Sequence, residues 1–239
     1  MKIFYRISDQ GYDKKKPEYV CRKLDVFQKF YTLFHKYEIY VVADNVSDET
    51  YNFVLQYINK DKIFRTQLSH AEAFMYAVNY SLNNFDMNEI VYFAEDDYLY
   101  TEDADKIIIE GLEVGDYSSG YDHPDKYINF NEGGDNPFIK NGGEETRVML
   151  TKSRHWKITN SCCMTFAVRL KTLKEDLPII QKYCSGKHTL SFPMFIELIR
   201  VNNRNVVSCI PAVSTHGETK YLSPLIDWEK QFYKIQNLK

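Results

Sequence analysis

Three consecutive carboxylates, Glu95-Asp96-Asp97, directly follow the apolar run Ile90 to Ala94 and are the residues of this chain best placed to do chemistry. Neighbouring acids repel one another and are costly to take out of water. A hard cation with oxygen ligands relieves both costs. The run IVYFA reads as a central strand covered on both faces. In open α/β sheets, ligands bind beyond the carboxyl ends of such strands. If the strand persisted through the triplet, alternation would put Glu95 and Asp97 on one side and Asp96 on the other. The competing reading is a solvated acidic turn ahead of a helix capped by Thr101, where acids favour the helix dipole. The position of the triplet, at the end of a buried strand in a long alternating series, favours the ligand site.

That series can be followed from the first residue. Lys2 to Ile7 alternates as a strand, with turn chemistry in Ser8-Asp9-Gln10-Gly11. Pro17 opens a helix whose apolar face is Val20, Leu24, Phe27, Tyr31 and Phe34. Ile39 to Ala43 is a buried strand closed by Asp44-Asn45, and Ser47 caps a helix through Ile58. A short strand at Ile63-Phe64 precedes Ser69 and Glu72, a capping-box pair that starts a helix through Leu82. After the triplet come a helix with Ile107, Ile108 and Leu112 inward and a strand near Tyr117 to Tyr121. Strands alternating with helices at this pitch predict an α/β fold, a mostly parallel sheet flanked by helices.

Between Asp122 and Asn160 the pattern breaks into a long, glycine-punctuated loop, of a length that is usually functional or mobile. A strand at Cys162 to Val168, a helix to Tyr183 interrupted near Pro178, and a helix from Pro193 to Arg200 capped by Ser191 follow. Val206 to Ile210 is the last strand expected, and Trp228 to Leu238 a terminal helix.

Composition narrows the class. With 44% hydrophobic and 26% charged residues, the 239-residue chain is an ordinary globular sequence that fits one sizeable α/β domain, residues 1–239. A net charge of -3 argues against a partner held by its phosphate backbone, so no nucleic acid is expected. No stretch approaches the roughly 20 apolar residues that span a bilayer. The strand-like start offers no secretory leader. Five cysteines without a C-x-x-C pair read as buried thiols, and Cys162-Cys163 as strand neighbours on opposite faces. A cytoplasmic protein is expected, in the host cytoplasm if the source is viral.

Strand, acidic triplet and helix, in this order along some 200 residues, resemble the D-x-D region of GT-A nucleotide-sugar glycosyltransferases, in particular small bacterial and large-virus members of the family-2-like group. The resemblance implies a GT-A, Rossmann-like fold, with residues 1–121 as the nucleotide-sugar half and 122–239 as the acceptor side and tail. It implies Mn²⁺ or Mg²⁺ gripping the diphosphate of a nucleotide-sugar donor, with a UDP-sugar favoured and a glycan or glycoconjugate as acceptor. Asp97 would be the direct ligand, Asp96 would bind metal or ribose, and Glu95 would replace the first acid of the motif. Arg6, Ser8 and Asp9 would cup the nucleoside and phosphate, Asp44 would read the base, and Ser69-His70 would face the donor. His216 would add a metal ligand, and Lys220 behind it would balance charge on the leaving group. Each has a structural alternative: Asp44 and Ser69 as caps, Arg6 as a strand charge, His216 as a structural histidine. On the acceptor side, His155, Trp156 and Asn160 are candidates, Trp156 either stacking on a sugar or packing in the core.

An inverting enzyme needs a general base. The family often places an acid just before the helix that here starts near Pro193, where this chain has Ser191-Phe192. Glu197, Asp122 and His188 remain as candidates, and a retaining mechanism stays open. A haloacid-dehalogenase-type phosphatase lacks its D-x-D after the first strand. A sugar nucleotidyltransferase would have only Gly11 and Lys14-Lys15-Lys16 as a phosphate loop. A GT-A-like sugar-binding module without catalysis is the non-enzymatic alternative. Dinucleotide and P-loop motifs are absent from the sequence.

Overall fold

The computed structural model describes residues 1–10 and 15–235. Gly11 and Lys14, and the expected end of the last helix at Leu238, lie outside them. Strand β1 (Lys2–Ser8) pairs in parallel with β2 (Glu38–Asp44) and β4 (Ile90–Glu95), and β2 with β3 (Ile63–Thr66). Alternation sends Ile3, Tyr5 and Ile7 into one apolar core and Phe4 into another on the opposite face of the sheet. The first core is roofed by α2 (Lys23–Phe34), α3 (Asp48–Val54) and α5 (Ala104–Glu110). The second is roofed by α4 (His70–Asn84), α6 (Leu170–Tyr183) and α7 (Ser191–Asn202).

The sheet continues past β4 through β9 (Phe166–Arg169), β6 (Tyr117–Ser119), β10 (Val206–Ile210), β8 (His155–Ile158) and β7 (Val148–Leu150). Its order is β3-β2-β1-β4-β9-β6-β10-β8-β7, and β9 and β8 run against the rest. The α/β class and the largely parallel, helix-flanked sheet are as expected. A separate two-stranded ribbon joins β5 (Tyr98–Tyr100) to β11 (Ser214–His216), with His216 opposite Tyr98. At three residues each, these strands are too short for alternation to announce them.

Several boundaries differ from expectation for local reasons. The helix expected from Pro17 breaks at Arg22 into α1 (Glu18–Cys21) and α2, and α1 turns aside to pack Tyr19 on Phe232 of α8 (Trp228–Lys234). Thr101 does not cap α5; Asp103 holds that position and Thr101 donates to its carboxylate. Ser191 is the first residue of α7 rather than its cap. Helix α6 runs through Pro178 without interruption, because the proline and Lys174, whose carbonyl loses its partner, both face water. Cys162 and Cys163 precede β9 instead of lying on it, and Cys163 takes a left-handed backbone (φ 56°). Cys21 is exposed, not buried. The segment 122–160 contains the β7–β8 hairpin.

Candidate functional site

Parallel register brings the carboxyl ends of four strands, β1 to β4, to one edge, with Ser8 beside Asp44, Asp44 beside Thr66 and Arg6 beside Glu95. A cleft of about 600 Å³ opens there. Its wall includes Arg6, Ser8, Ser69, His70, the whole triplet, His188 and His216.

The three acids take three different directions. Glu95, the last residue of β4, points toward α4, where His70 Nε2 meets its Oε1 at 2.5 Å. Burial opposes the charged form of Glu95, yet the His70 charge and hydrogen bond outweigh it and hold the carboxyl below its ordinary range. Asp96 turns toward α2; its Oδ2 accepts the Ser8 amide at 2.9 Å and stands 3.5 Å from Lys23 Nζ. Here burial prevails, Asp97 adds repulsion, and the carboxyl is pushed up despite Lys23. Asp97 lies on the turn into β5. Its Oδ2 is 3.2 Å from His216 Nε2 and 2.9 Å from Lys16 Nζ. Burial again opposes ionisation, but His216 and Lys16 hold Asp97 far below the carboxylate range.

The β5–β11 ribbon brings Asp97 and His216 together. Tyr98, fully buried, packs edge-on to the His216 ring at 5.4 Å and 87°. Beyond it the chain presses against the turn: Gly217 donates to the Asp97 carbonyl at 2.7 Å. A Cβ at Gly217 would meet Val20 Cγ1 at 2.3 Å and that carbonyl at 2.7 Å, so only glycine fits.

Other residues singled out from the sequence fall differently. The carboxylate of Asp44 is wholly buried and committed to Arg6, Thr66, Asn45 and the Leu68 amide, so it fixes the turn after β3 and has no edge left for a base. Asp9 accepts from Ser47 N and Thr50 Oγ1, bracing the start of α3. Ser69 caps α4 in a reciprocal box with Glu72. Lys220 lies outside the cleft wall and pairs with Asp135.

Trp156 is fully buried over Gly111 and donates to Thr151, so it is core and not a sugar platform. His155 is itself exposed and does not line the cleft. Asn160 lines a separate groove of about 470 Å³ between the 138–145 loop and α7, and its side chain accepts from Lys126. Of the three candidate bases, Asp122 is buried against Lys157 and Tyr127, and Glu197 is bound by Lys182 and Tyr183 away from the cleft. His188 alone of these lines the cleft. The basic residues Lys16, Lys23 and Lys187 also face it, and sequence reasoning did not place them there. The lysine run around Lys16 was the available signal.

Among the described residues, no group of three or more His, Cys, Asp or Glu side chains is arranged to hold a metal. The donors that do meet, one carboxylate oxygen and one imidazole nitrogen, fit Mn²⁺ better than Mg²⁺, which favours oxygen ligands. No helix among the described residues is long and apolar enough to cross a membrane.

No protein-family model and no curated protein matches the chain. Solved structures similar to it include a galactosyltransferase, LgtC, in complex with donor and acceptor sugar analogs, at 11% identity and TM-score 0.46, covering 98% of this chain and 95% of that one. Residues 1–349 of TarS from S. aureus are similar at 15% identity and TM-score 0.47, covering 98% of this chain and 62% of that one. A 4-diphosphocytidyl-2C-methyl-D-erythritol synthase from Anaerococcus prevotii is similar at 12% identity and TM-score 0.45, covering 98% of this chain and 95% of that one. These three TM-scores lie below 0.5, so the functional argument rests on the residues of the cleft.

Proposed function

We propose that this chain is a metal-dependent glycosyltransferase of the GT-A kind, using a nucleotide-sugar donor, with a UDP-sugar favoured, and a glycan hydroxyl as acceptor. The observation that carries the reading is the meeting of Asp97 and His216 on one cleft wall at the carboxyl ends of β1, β2 and β4. Asp97 and His216 would hold Mn²⁺, which supplies Lewis-acid charge opposite the diphosphate. Arg6, Lys16, Lys23 and Lys187 add positive charge where a diphosphate leaving group becomes more negative. The Ser8 amide donates to Asp96 and so joins the end of β1 to the triplet in one wall. His188 is the candidate base that an acceptor hydroxyl in the cleft could reach. In this reading residues 1–121 form the donor half and 122–239 the acceptor side.

A second reading has its own observation. Lys16 and Lys23 reach the triplet from the segment after β1, where a sugar nucleotidyltransferase carries its basic phosphate loop. Thermal shift with a nucleotide-sugar panel, with and without Mn²⁺, tests the first reading, because a ligand specific to the folded state raises its melting temperature. Mn²⁺-dependent stabilisation by a UDP-sugar, with slow release of UDP, supports it. Pyrophosphate release from a nucleoside triphosphate and a sugar phosphate would transfer the assignment to the second reading. No response to any nucleotide would end both.

A further inference from the structure

Lys16 is the lysine of this wall that reaches the carboxylate proposed to hold the metal. Its ammonium stands 2.9 Å from Asp97 Oδ2, the same oxygen that faces His216 Nε2 at 3.2 Å. A carboxylate oxygen has two lone-pair directions. The two contacts together occupy both directions on Oδ2, so a metal that binds Asp97 through this oxygen has to displace one of them. A divalent cation and an ammonium on one oxygen would also repel strongly in a half-buried cleft.

Release of Lys16 would not carry it far. The Lys15 carbonyl accepts the Thr219 amide at 2.9 Å, and Val20 beyond it is wedged against Gly217. The segment carrying Lys16 is thus tied to the segment that follows His216. Its ammonium can leave Asp97 and still face the same cleft, where an incoming diphosphate offers it a new anion.

We infer that Lys16 is an internal counter-ion of Asp97 that the nucleotide diphosphate draws away, so that metal and nucleotide bind cooperatively. Lys16 guards the carboxylate against the metal alone and releases it when the diphosphate arrives. The inference rests on the metal and nucleotide reading of this cleft. It adds a coupling between metal and nucleotide that neither Asp97 nor His216 would impose alone.

Mn²⁺ titrations followed by the electron paramagnetic resonance of free Mn²⁺, with and without UDP, test it on the wild type, Lys16→Met, Lys16→Gln and Lys16→Arg. UDP should tighten Mn²⁺ binding to the wild type by about 5- to 150-fold, the range of ordinary site-to-site coupling. Lys16→Met should bind Mn²⁺ without UDP more tightly than the wild type and lose most of the UDP effect. Lys16→Gln should repeat this if the methionine variant misfolds, and Lys16→Arg should keep the wild-type pattern. If Mn²⁺ and UDP bind but the neutral variants match the wild type in both respects, the Lys16 inference is overturned and the site reading stands. If no variant takes up Mn²⁺ even with UDP, both are overturned.

Discussion

Two regions of this molecule use the same residue types to opposite ends. At the strand ends, Glu95, Asp96 and Asp97 are each met by a basic side chain on the wall of an open cleft. In the 122–160 segment three charges, Asp122, Lys126 and Lys157, turn inward. Lys157, only 3% exposed, lies 2.8 Å from an equally buried Asp122 and 3.5 Å from Glu144. Lys126, 1% exposed, holds Asn160 and Ser161. Desolvation works against the Lys157 ammonium, but Asp122 overcomes it and holds its pKa above the ordinary value. An inward pair positions a loop that has little regular structure, whereas the cleft pairs stand where a ligand could reach them. Accessibility of the partner, not residue type, separates scaffold from site.

The largest expected effect tests the cleft side of this contrast. Asp97→Asn removes the charge that would hold the metal, and several kcal/mol of charge stabilisation correspond to a loss of roughly 10³-fold in UDP-sugar turnover. Steady-state kinetics of a variant with an unchanged melting curve would check it; near wild-type turnover would break the comparison. Next, Lys157→Met should cost about 3–5 kcal/mol by leaving Asp122 and Glu144 buried without their cation. Differential scanning calorimetry should record a melting temperature lower by roughly 10 °C. The cleft substitution Lys16→Met should move it far less, and equal losses would erase the distinction.

Gly217→Ala is the third test. The added methyl must displace Val20 or the Asp97 carbonyl, and overpacking of this kind costs about 1–3 kcal/mol. Calorimetry measures that cost, and weaker Mn²⁺ and UDP binding than the stability loss explains would show that the tail shapes the site. The smallest effect concerns acid. Glu38 is held at about 2, below its ordinary 4.5, first by its hydrogen bond from Lys2, then by Lys62 and Tyr40. A carboxyl lowered on folding contributes stability above its unfolded pKa and loses it as pH falls toward the folded value. Between pH 5 and pH 2 the wild type should therefore lose stability more steeply than Glu38→Gln in thermal melts, and parallel curves would remove Glu38 from the account.

What could be read from the sequence is what local pattern determines. The Ser69–Glu72 box sits three residues apart, and α4 begins where that pair says. IVYFA needed only its own run of apolar residues to be placed as a central strand. The triplet was legible for the same reason, but the alternation expected within it was not met: β4 ends at Glu95, Asp96 and Asp97 lie on a turn, and the three carboxylates point three ways. Contacts between distant segments were not legible. Nothing near Asp44 in the chain announces that Leu68 and Thr66 will return to occupy its carboxylate. Trp156 has the composition of a sugar platform, and only the glycine beneath it at Gly111 shows that it is core. Lys16 was legible only as part of a lysine run and Lys23 not at all; the fold sets both against the acids, Lys16 at Asp97 and Lys23 at Asp96.

The β5–β11 ribbon also bears on how the molecule is made. It pairs residues near the middle of the chain with residues close to its end. Distant pairings of this kind form late, because the intervening chain must be ordered before they are rewarded. During synthesis the parallel core of β1 to β4 can assemble while its acids still lack His216. Asp97 therefore meets His216 only when this ribbon closes, after the sheet that carries the triplet has formed.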